Sequence, residues 1–230
     1  NQGELATQQR QIWLENLREH LPDKKPEDVK ILDIGTGPGF FAIILTQAGY
    51  QVTAVDYTEE MLKEARHNAG ELAEKIQWLQ MDAQNLDFPD QTFDAVVSRN
   101  LTWNLENPTR AYQEWLRVLK KGGKLLNYDA NWYHHLFDEE KRKEYEEDRK
   151  RVESLHMEDH YTCTDIDAME DIARKVPLSR INRPLWDKEL LEDLDCSKVE
   201  IEEDVWKRVW SREERANYYS TPMFLVEGEK

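Results

Sequence analysis

The feature that most constrains the fold of this chain is a glycine-rich turn set between two apolar segments. Residues 29–34 have the apolar character of a buried strand, and they lead directly into the five residues 35–39, Gly-Thr-Gly-Pro-Gly. An apolar helical segment broken at Gly49 follows, and a second strand ends at Asp56. This order predicts a parallel βαβ unit with a nucleotide-sized cleft at the carboxyl ends of its strands.

The spacing of the glycines separates two kinds of nucleotide site. A dinucleotide-binding turn has the pattern G-x-G-x-x-G. Here the third glycine comes one residue early, and Phe40 occupies the place of the expected glycine. Asp33, two residues before the first glycine, is poorly placed for a phosphate and well placed for an ammonium group. Asp56, at the end of the second strand, can accept hydrogen bonds from both hydroxyls of a ribose.

The pattern D-x-G-x-G-x-G followed by an acid at the next strand end resembles the class I S-adenosylmethionine-dependent methyltransferases. The resemblance covers roughly residues 29–130 and implies S-adenosyl-L-methionine as cofactor, with S-adenosyl-L-homocysteine as product. It implies that Asp82 binds the adenine amino group. The full set of cofactor-binding residues that the resemblance implies is Asp33, Gly35, Thr36, Gly37, Gly39, Asp56, Tyr57, Met61, Asp82, Ala83, Ser98, Arg99 and Asn100.

The same resemblance implies an α/β fold: a doubly wound, mostly parallel, seven-stranded sheet of the Rossmann-like methyltransferase type with a helical cap insertion. We expect one domain over residues 1–230, with an N-terminal helical segment (1–28), a cofactor-binding core (29–131), a cap (132–185) and the C-terminal part of the sheet (186–230). Residues 6–21 are expected to form an amphipathic helix, and Asp187 is expected to cap a later one. Residues 138–151 are charged except for Tyr145, which predicts the solvated outer surface of the cap.

The acceptor side of the site is less defined. His134 and His135 follow the fifth predicted strand, where a histidine can take a proton from the acceptor, although a packing role is equally compatible with their position. Trp103, Trp132 and Tyr133 are expected in the substrate pocket. Arg99 is expected either to hold a substrate carboxylate or to pair with one of the many acids.

Metal binding is not predicted. His156 and His160 are four residues apart with Cys163 nearby, but no third ligand of clear spacing follows.

Composition narrows the remaining classes. The formal net charge of -16 argues against a nucleic-acid substrate, since phosphates require a basic surface. No apolar run reaches the roughly 18 residues that span a bilayer, so we expect no membrane insertion. Two cysteines suit a reducing cytoplasm.

These observations lead us to expect a cytoplasmic methyltransferase acting on a small molecule, of undetermined oligomeric state. Two alternatives stay open: a nicotinamide-dependent oxidoreductase, and a non-catalytic protein that binds S-adenosylmethionine or a partner.

Overall fold

The computed structural model, which describes residues 5, 7–162 and 165–230, contains a seven-stranded sheet with helices on both faces. The strands are β1 (Lys30–Ile34), β2 (Gln51–Asp56), β3 (Gln77–Gln80), β4 (Phe93–Arg99), β5 (Leu119–Asp129), β6 (Lys198–Glu202) and β7 (Phe224–Glu229). Their order is β3-β2-β1-β4-β5-β7-β6. Neighbouring strands from β3 to β5 are parallel, and β7 is antiparallel to both β5 and β6. The predicted doubly wound, mostly parallel sheet is confirmed.

The helices connect and cover these strands. They are α1 (Gln9–His20), α2 (Phe40–Gln47), α3 (Glu59–Ala69), α4 (Pro108–Val118), α5 (Glu139–Ser154), α6 (Ile166–Ala173), α7 (Leu185–Asp193), α8 (Trp206–Val209) and α9 (Arg212–Asn217). The predicted N-terminal helix therefore exists as α1, while Ala6 lies outside the described residues.

Two apolar cores form because successive strand residues point to opposite faces of the sheet. One core joins Ile31 and Val97 to buried side chains of α1 and α2. The other joins Leu32 and Val96 to buried side chains of α4 and α7. The position of a polar residue along its strand therefore determines which face of the sheet its side chain lies on.

This alternation separates the polar residues at the carboxyl ends of the strands. Asp33 and Arg99 come two residues after Ile31 and Val97, so they lie on the face covered by α1 and α2. Ser98 follows Val96 by two residues and therefore lies on the opposite face.

A buried ionic group, which we call the Arg183 cluster, fixes the cap to the sheet. The Arg183 guanidinium donates to both carboxylate oxygens of Asp187 at 2.8 and 2.6 Å, to Asp129 at 2.7 Å and to the Thr102 hydroxyl at 2.7 Å. The Tyr112 hydroxyl donates to Asp187 at 2.6 Å. Arg183 and both carboxylates are at most 3 % exposed. Because Arg183 belongs to the predicted cap and Asp129 ends β5, the cluster joins cap and core.

Asp187 was expected to cap a helix, and that expectation is wrong. The residue before α7 is Pro184, and Asp187 lies in the first turn of α7 with its carboxylate fully buried. Of its two donors, Arg183 lies only four residues earlier, whereas Tyr112 lies 75 positions away in α4, so the local pattern did not reveal the buried cluster.

The cap contains α5 and α6, with Cys163 outside the described residues. Most of α5 is exposed, as its charges predict, but Asp148 is buried and accepts a hydrogen bond from the Ser220 amide at 2.7 Å. One side of the charged helix is therefore anchored to the C-terminal part of the chain.

Replacing Arg183 tests the Arg183 cluster. Arg183→Met leaves two buried carboxylates without their counter-charge, so we expect the free energy of unfolding to fall by about 3–5 kcal/mol. Urea denaturation followed by circular dichroism measures this loss. The matched control is Arg142→Met on the exposed side of α5, whose pair with Glu146 is more than half exposed, and it should change stability little. Equal effects of the two changes would contradict a structural role for the cluster.

Candidate functional site

The glycine turn after β1 has a backbone that other residues rarely adopt. Gly35, Gly37 and Gly39 all have positive φ, at 65°, 52° and 88°. A Cβ on Gly35 would lie 2.8 Å from the Leu101 side chain, and one on Gly39 would lie 3.0 Å from the Cβ of Ala65. A Cβ on Gly37 would meet no described atom within 4 Å. Gly35 and Gly39 thus permit packing of the turn itself, while Gly37 faces open space.

The Asp33 carboxylate is built into the base of this turn. One of its oxygens accepts hydrogen bonds from the Thr36 hydroxyl at 2.6 Å and from the Ala42 amide at 3.0 Å. Burial raises the pKa of Asp33 to about 6, against the opposing effects of these two donors and of the nearby Arg99 charge. Asp33 is therefore a carboxylate whose charge a cationic ligand would favour.

Asp56 is placed beside the open side of the turn. One carboxylate oxygen accepts from the Gly37 amide at 2.9 Å, and the other accepts from the Thr58 amide at 3.1 Å. Asp56 is partly exposed. This is the geometry expected of an acid at the end of the second strand of a nucleotide-binding βαβ unit.

A cavity of about 270 Å³ opens at the turn, and we call it the turn cavity. Its lining is Asp33, Gly35, Thr36, Gly37, Pro38, Phe40, Phe41, Arg99 and Asn100. The Arg99 guanidinium carbon lies 4.8 Å from the ring centroid of Phe40 and 5.4 Å from that of Phe41. The cavity therefore contains one carboxylate and one guanidinium held by aromatic rings.

A second cavity of about 210 Å³, the aromatic pocket, lies under the cap. It is lined by Asn100, Trp103, Trp132, Tyr133, His160, Tyr161, Met169 and Tyr218. The predicted pocket residues Trp103, Trp132 and Tyr133 all lie in it. Asp129 positions two of them, because it accepts hydrogen bonds from the Trp103 amide at 2.9 Å and from the Trp132 indole at 3.0 Å.

Asn100 lines both cavities. It has a positive φ of 58°, its amide donates to the Tyr128 carbonyl at 2.8 Å, and its carbonyl accepts from the Trp103 indole at 3.1 Å. The turn cavity and the aromatic pocket therefore meet at the carboxyl end of β4.

The aromatic pocket contains a histidine, His160, held by contacts with the C-terminal part of the chain. His160 Nδ1 and the Tyr218 hydroxyl are 3.1 Å apart, and the His160 backbone amide donates to the Asn217 side chain at 3.0 Å. Asn217 is buried and also donates to the Glu158 carbonyl at 3.1 Å. Asn217 in α9 thus holds the segment that carries His160 against the C-terminal part of the chain.

Not every expected cofactor residue lines the turn cavity. Six of them line it: Asp33, Gly35, Thr36, Gly37, Arg99 and Asn100. Gly39 supports the turn, and Asp56 contacts it. Asp82, Ala83, Tyr57 and Met61 lie outside the lining, with Tyr57 72 % exposed. Asp82 follows β3, the neighbour of β2, and its carboxylate accepts from the Gln84 amide at 2.8 Å.

Ser98 does not face the turn cavity. It is fully buried, and its position on β4 places it on the face covered by α4. The two-residue alternation of the strand carries this signal, since Arg99, the next residue, is the one that reaches the cavity.

His134 and His135 also lie away from both linings. They form a single helical turn, His134–Leu136, that packs against α5. The ring of His135 stacks on that of Tyr145 with centroids 4.2 Å apart. Burial lowers the pKa of His135 to about 4. The histidine in the aromatic pocket is His160, which sequence reasoning considered only as a metal ligand. Within the described residues, no group of three or more His, Cys, Asp and Glu could hold a metal ion.

Comparison with known proteins supplies independent information. Residues 32–127 match the family model described as a methyltransferase domain. A phosphatidylethanolamine N-methyltransferase of Cereibacter sphaeroides is 39% identical over 99 residues, which are 42% of this chain and 48% of that protein. A ubiquinone/menaquinone biosynthesis C-methyltransferase of Roseobacter denitrificans is 34% identical over 119 residues, 50% of this chain and 47% of that protein. The chain thus spans about half the length of these curated relatives.

Solved structures share the fold. Phosphoethanolamine N-methyltransferase 2 of Haemonchus contortus, in complex with S-adenosyl-L-methionine, superposes with a TM-score of 0.63 and 17% sequence identity. The match covers 94% of this chain and 51% of that one. At this identity the likeness concerns the arrangement of the sheet and helices.

No helix among the described residues is long and apolar enough to cross a membrane.

Proposed function

We propose that this chain, whose residues 32–127 form a class I S-adenosylmethionine-dependent methyltransferase domain, transfers a methyl group from S-adenosyl-L-methionine to a small molecule. The cofactor binds in the turn cavity, and the acceptor binds in the aromatic pocket. The observation that carries this proposal is the junction of the two cavities at Asn100, since methyl transfer requires donor and acceptor atoms within about 3–3.5 Å of each other and in line.

The residues of the turn cavity fit the chemical groups of this cofactor. The open space at Gly37 admits a ligand close to the backbone, and the adjacent Asp56 carboxylate suits the two ribose hydroxyls. The Asp33 carboxylate suits the ammonium group, and Arg99 suits the carboxylate of the amino-acid part. We assign the adenine amino group to Asp82, at the end of the neighbouring strand β3.

Bound S-adenosyl-L-methionine supplies a methyl group on a positively charged sulfur, which is a good leaving group. The chain therefore needs chiefly to orient the acceptor and to exclude water. The cap supports both tasks, because the Arg183 cluster and Asp129 fix Trp103 and Trp132 in the wall of the aromatic pocket.

The nicotinamide-dependent alternative has less support. Phe40, at the position where a dinucleotide-binding turn has its third glycine, is a buried residue of the first turn of α2. In the dinucleotide-binding pattern the third glycine permits close packing of the helix on the strand, which a phenylalanine side chain does not permit in the same way. The relatives named above are methyltransferases that act on different acceptors, so they support the reaction and leave the acceptor open.

The acceptor's chemical class and the chain's location also belong to this proposal. The net charge of -16 supports a small molecule in preference to a nucleic acid. The presence of only two cysteines supports a cytoplasmic location.

A matched pair of glycine variants tests the assignment of the turn cavity. Gly37 and Gly70 have nearly equal positive φ, 52° and 54°, and a Cβ at either position meets no described atom within 4 Å. Alanine strains the backbone at both positions, because both have a positive φ. Only Gly37→Ala places a methyl group where the cofactor lies, so it should weaken binding of S-adenosyl-L-homocysteine at least about tenfold in isothermal titration calorimetry, and Gly70→Ala should not. Normal binding by Gly37→Ala would refute the assignment.

Binding of the same ligand should also depend on pH through Asp33. Because the pKa of Asp33 in the empty site is about 6, the ligand's ammonium must displace a proton at lower pH. The association constant should then fall by up to about tenfold for each pH unit below 6 and level off above it. Asp33→Asn should bind more weakly at neutral pH and lose this pH dependence. An unchanged slope in Asp33→Asn would show that another group is responsible.

A further inference from the structure

We infer that the aromatic pocket selects a compact amine, bound first as its ammonium ion, as methyl acceptor, an inference that rests on the proposed function and specifies its acceptor. Among the described residues that line the pocket, none has a Lys, Arg, Asp or Glu side chain. An anionic acceptor would therefore have no counter-charge in the wall. The attraction that the wall offers to a charged ligand comes from the faces of its aromatic rings.

The angles between the rings distinguish a compact cation from a flat acceptor. The rings of Trp132 and Tyr218 are 5.2 Å apart at 83°, and those of Tyr161 and Tyr218 are 5.9 Å apart at 64°. A flat aromatic acceptor stacks best between two near-parallel rings, but the rings of Trp103 and Tyr133, which are inclined at only 35°, have centroids 4.9 Å apart and leave no space between them. A compact, roughly tetrahedral ammonium group instead makes favourable contacts with ring faces that converge from different directions.

The tyrosines of the pocket remain neutral, so they do not supply an anion. Burial raises the pKa of Tyr133 to about 12, and burial also raises the pKa of Tyr161 well above its ordinary value. Arg149 lies over Tyr161 at 4.5 Å from the ring centroid, but its charge is paired with Asp159. Binding of a cation therefore depends on the ring electrons themselves.

The same pocket can prepare an amine for reaction. A protonated amine has no lone pair to attack the methyl carbon, and the imidazole of His160 is placed to accept that proton. The amine nitrogen then forms a bond to the methyl carbon while the carbon–sulfur bond breaks and its electron pair stays on sulfur. The positive charge passes from sulfur to the methylated nitrogen, and the proton on His160 is released to solvent. The aromatic walls therefore face an ammonium ion when the substrate enters and again when the product forms.

The inference is tested with choline and its uncharged isostere neohexanol, in which a carbon atom replaces the nitrogen. Both are titrated into the full chain loaded with S-adenosyl-L-homocysteine, at about 1 M salt, where charges are screened beyond about 3 Å and the acidic surface no longer collects cations. Calorimetry should show choline binding at least about tenfold more tightly than neohexanol. Equal affinity, or tighter binding of neohexanol, would overturn the inference.

Variants at Tyr133 locate the effect. Tyr133→Leu removes one ring and should weaken choline binding about three- to tenfold, whereas Tyr133→Phe keeps the ring and should bind nearly as the parent does. Trp206→Leu, which removes a partly buried tryptophan outside the pocket, is the control and should leave choline affinity unchanged. A loss in Trp206→Leu equal to that in Tyr133→Leu would also overturn the inference. Binding of S-adenosyl-L-homocysteine is measured on each preparation. If the parent chain does not bind S-adenosyl-L-homocysteine, the result counts against the proposed function. If it binds S-adenosyl-L-homocysteine but does not prefer choline to neohexanol, the result counts only against this inference.

Discussion

The positions of the cap and of the aromatic pocket both depend on the hydrogen bonds that the Asp129 carboxylate accepts. This carboxylate accepts hydrogen bonds from the backbone of Trp103, from the indole of Trp132 and from the guanidinium of Arg183, and it is fully buried. A buried carboxylate is tolerated only when donors of this kind surround it. The hydrogen bonds from these donors offset the free-energy cost of burying Asp129. The Arg183 guanidinium of the cap and the two tryptophans of the pocket must therefore be in position at the same time.

The alternation of the strands explains how one sheet supports two chemical environments. Asp33 and Arg99 lie on the face of α1 and α2, where the glycine turn opens a small polar cavity. Asp129 ends β5 with the parity of Leu125, and its carboxylate turns toward the Arg183 cluster on the opposite face. Asn100 lines both the turn cavity and the aromatic pocket. A methyl donor bound in the turn cavity would therefore lie next to an acceptor bound in the aromatic pocket.

Local sequence patterns predicted the parts of the molecule that local physics determines. The glycine turn and its βαβ unit follow from short-range signals, whereas the seven-stranded sheet was implied by the family resemblance. Ser98 was expected among the cofactor-binding residues, but its two-residue spacing from Val96 indicates the face of the sheet opposite to the turn cavity. His160 and Tyr218 could not be found in this way, because they are 58 positions apart and meet only through the packing of the cap on the C-terminal segment. Asp187 was expected to cap a helix, and its place in the buried cluster was not predicted because Tyr112 reaches it from 75 positions away.

The most direct test of the central claim is a calorimetric comparison of S-adenosyl-L-homocysteine and NADH on the parent chain and on Asp56→Ala. Each charge-assisted hydrogen bond from a ribose hydroxyl to Asp56 contributes about 1.5–3 kcal/mol. We therefore expect the parent chain to bind S-adenosyl-L-homocysteine and not NADH. We expect Asp56→Ala to keep its fold but to bind S-adenosyl-L-homocysteine at least about tenfold more weakly. Binding of NADH in preference, or unchanged affinity of Asp56→Ala for S-adenosyl-L-homocysteine, would contradict the central claim.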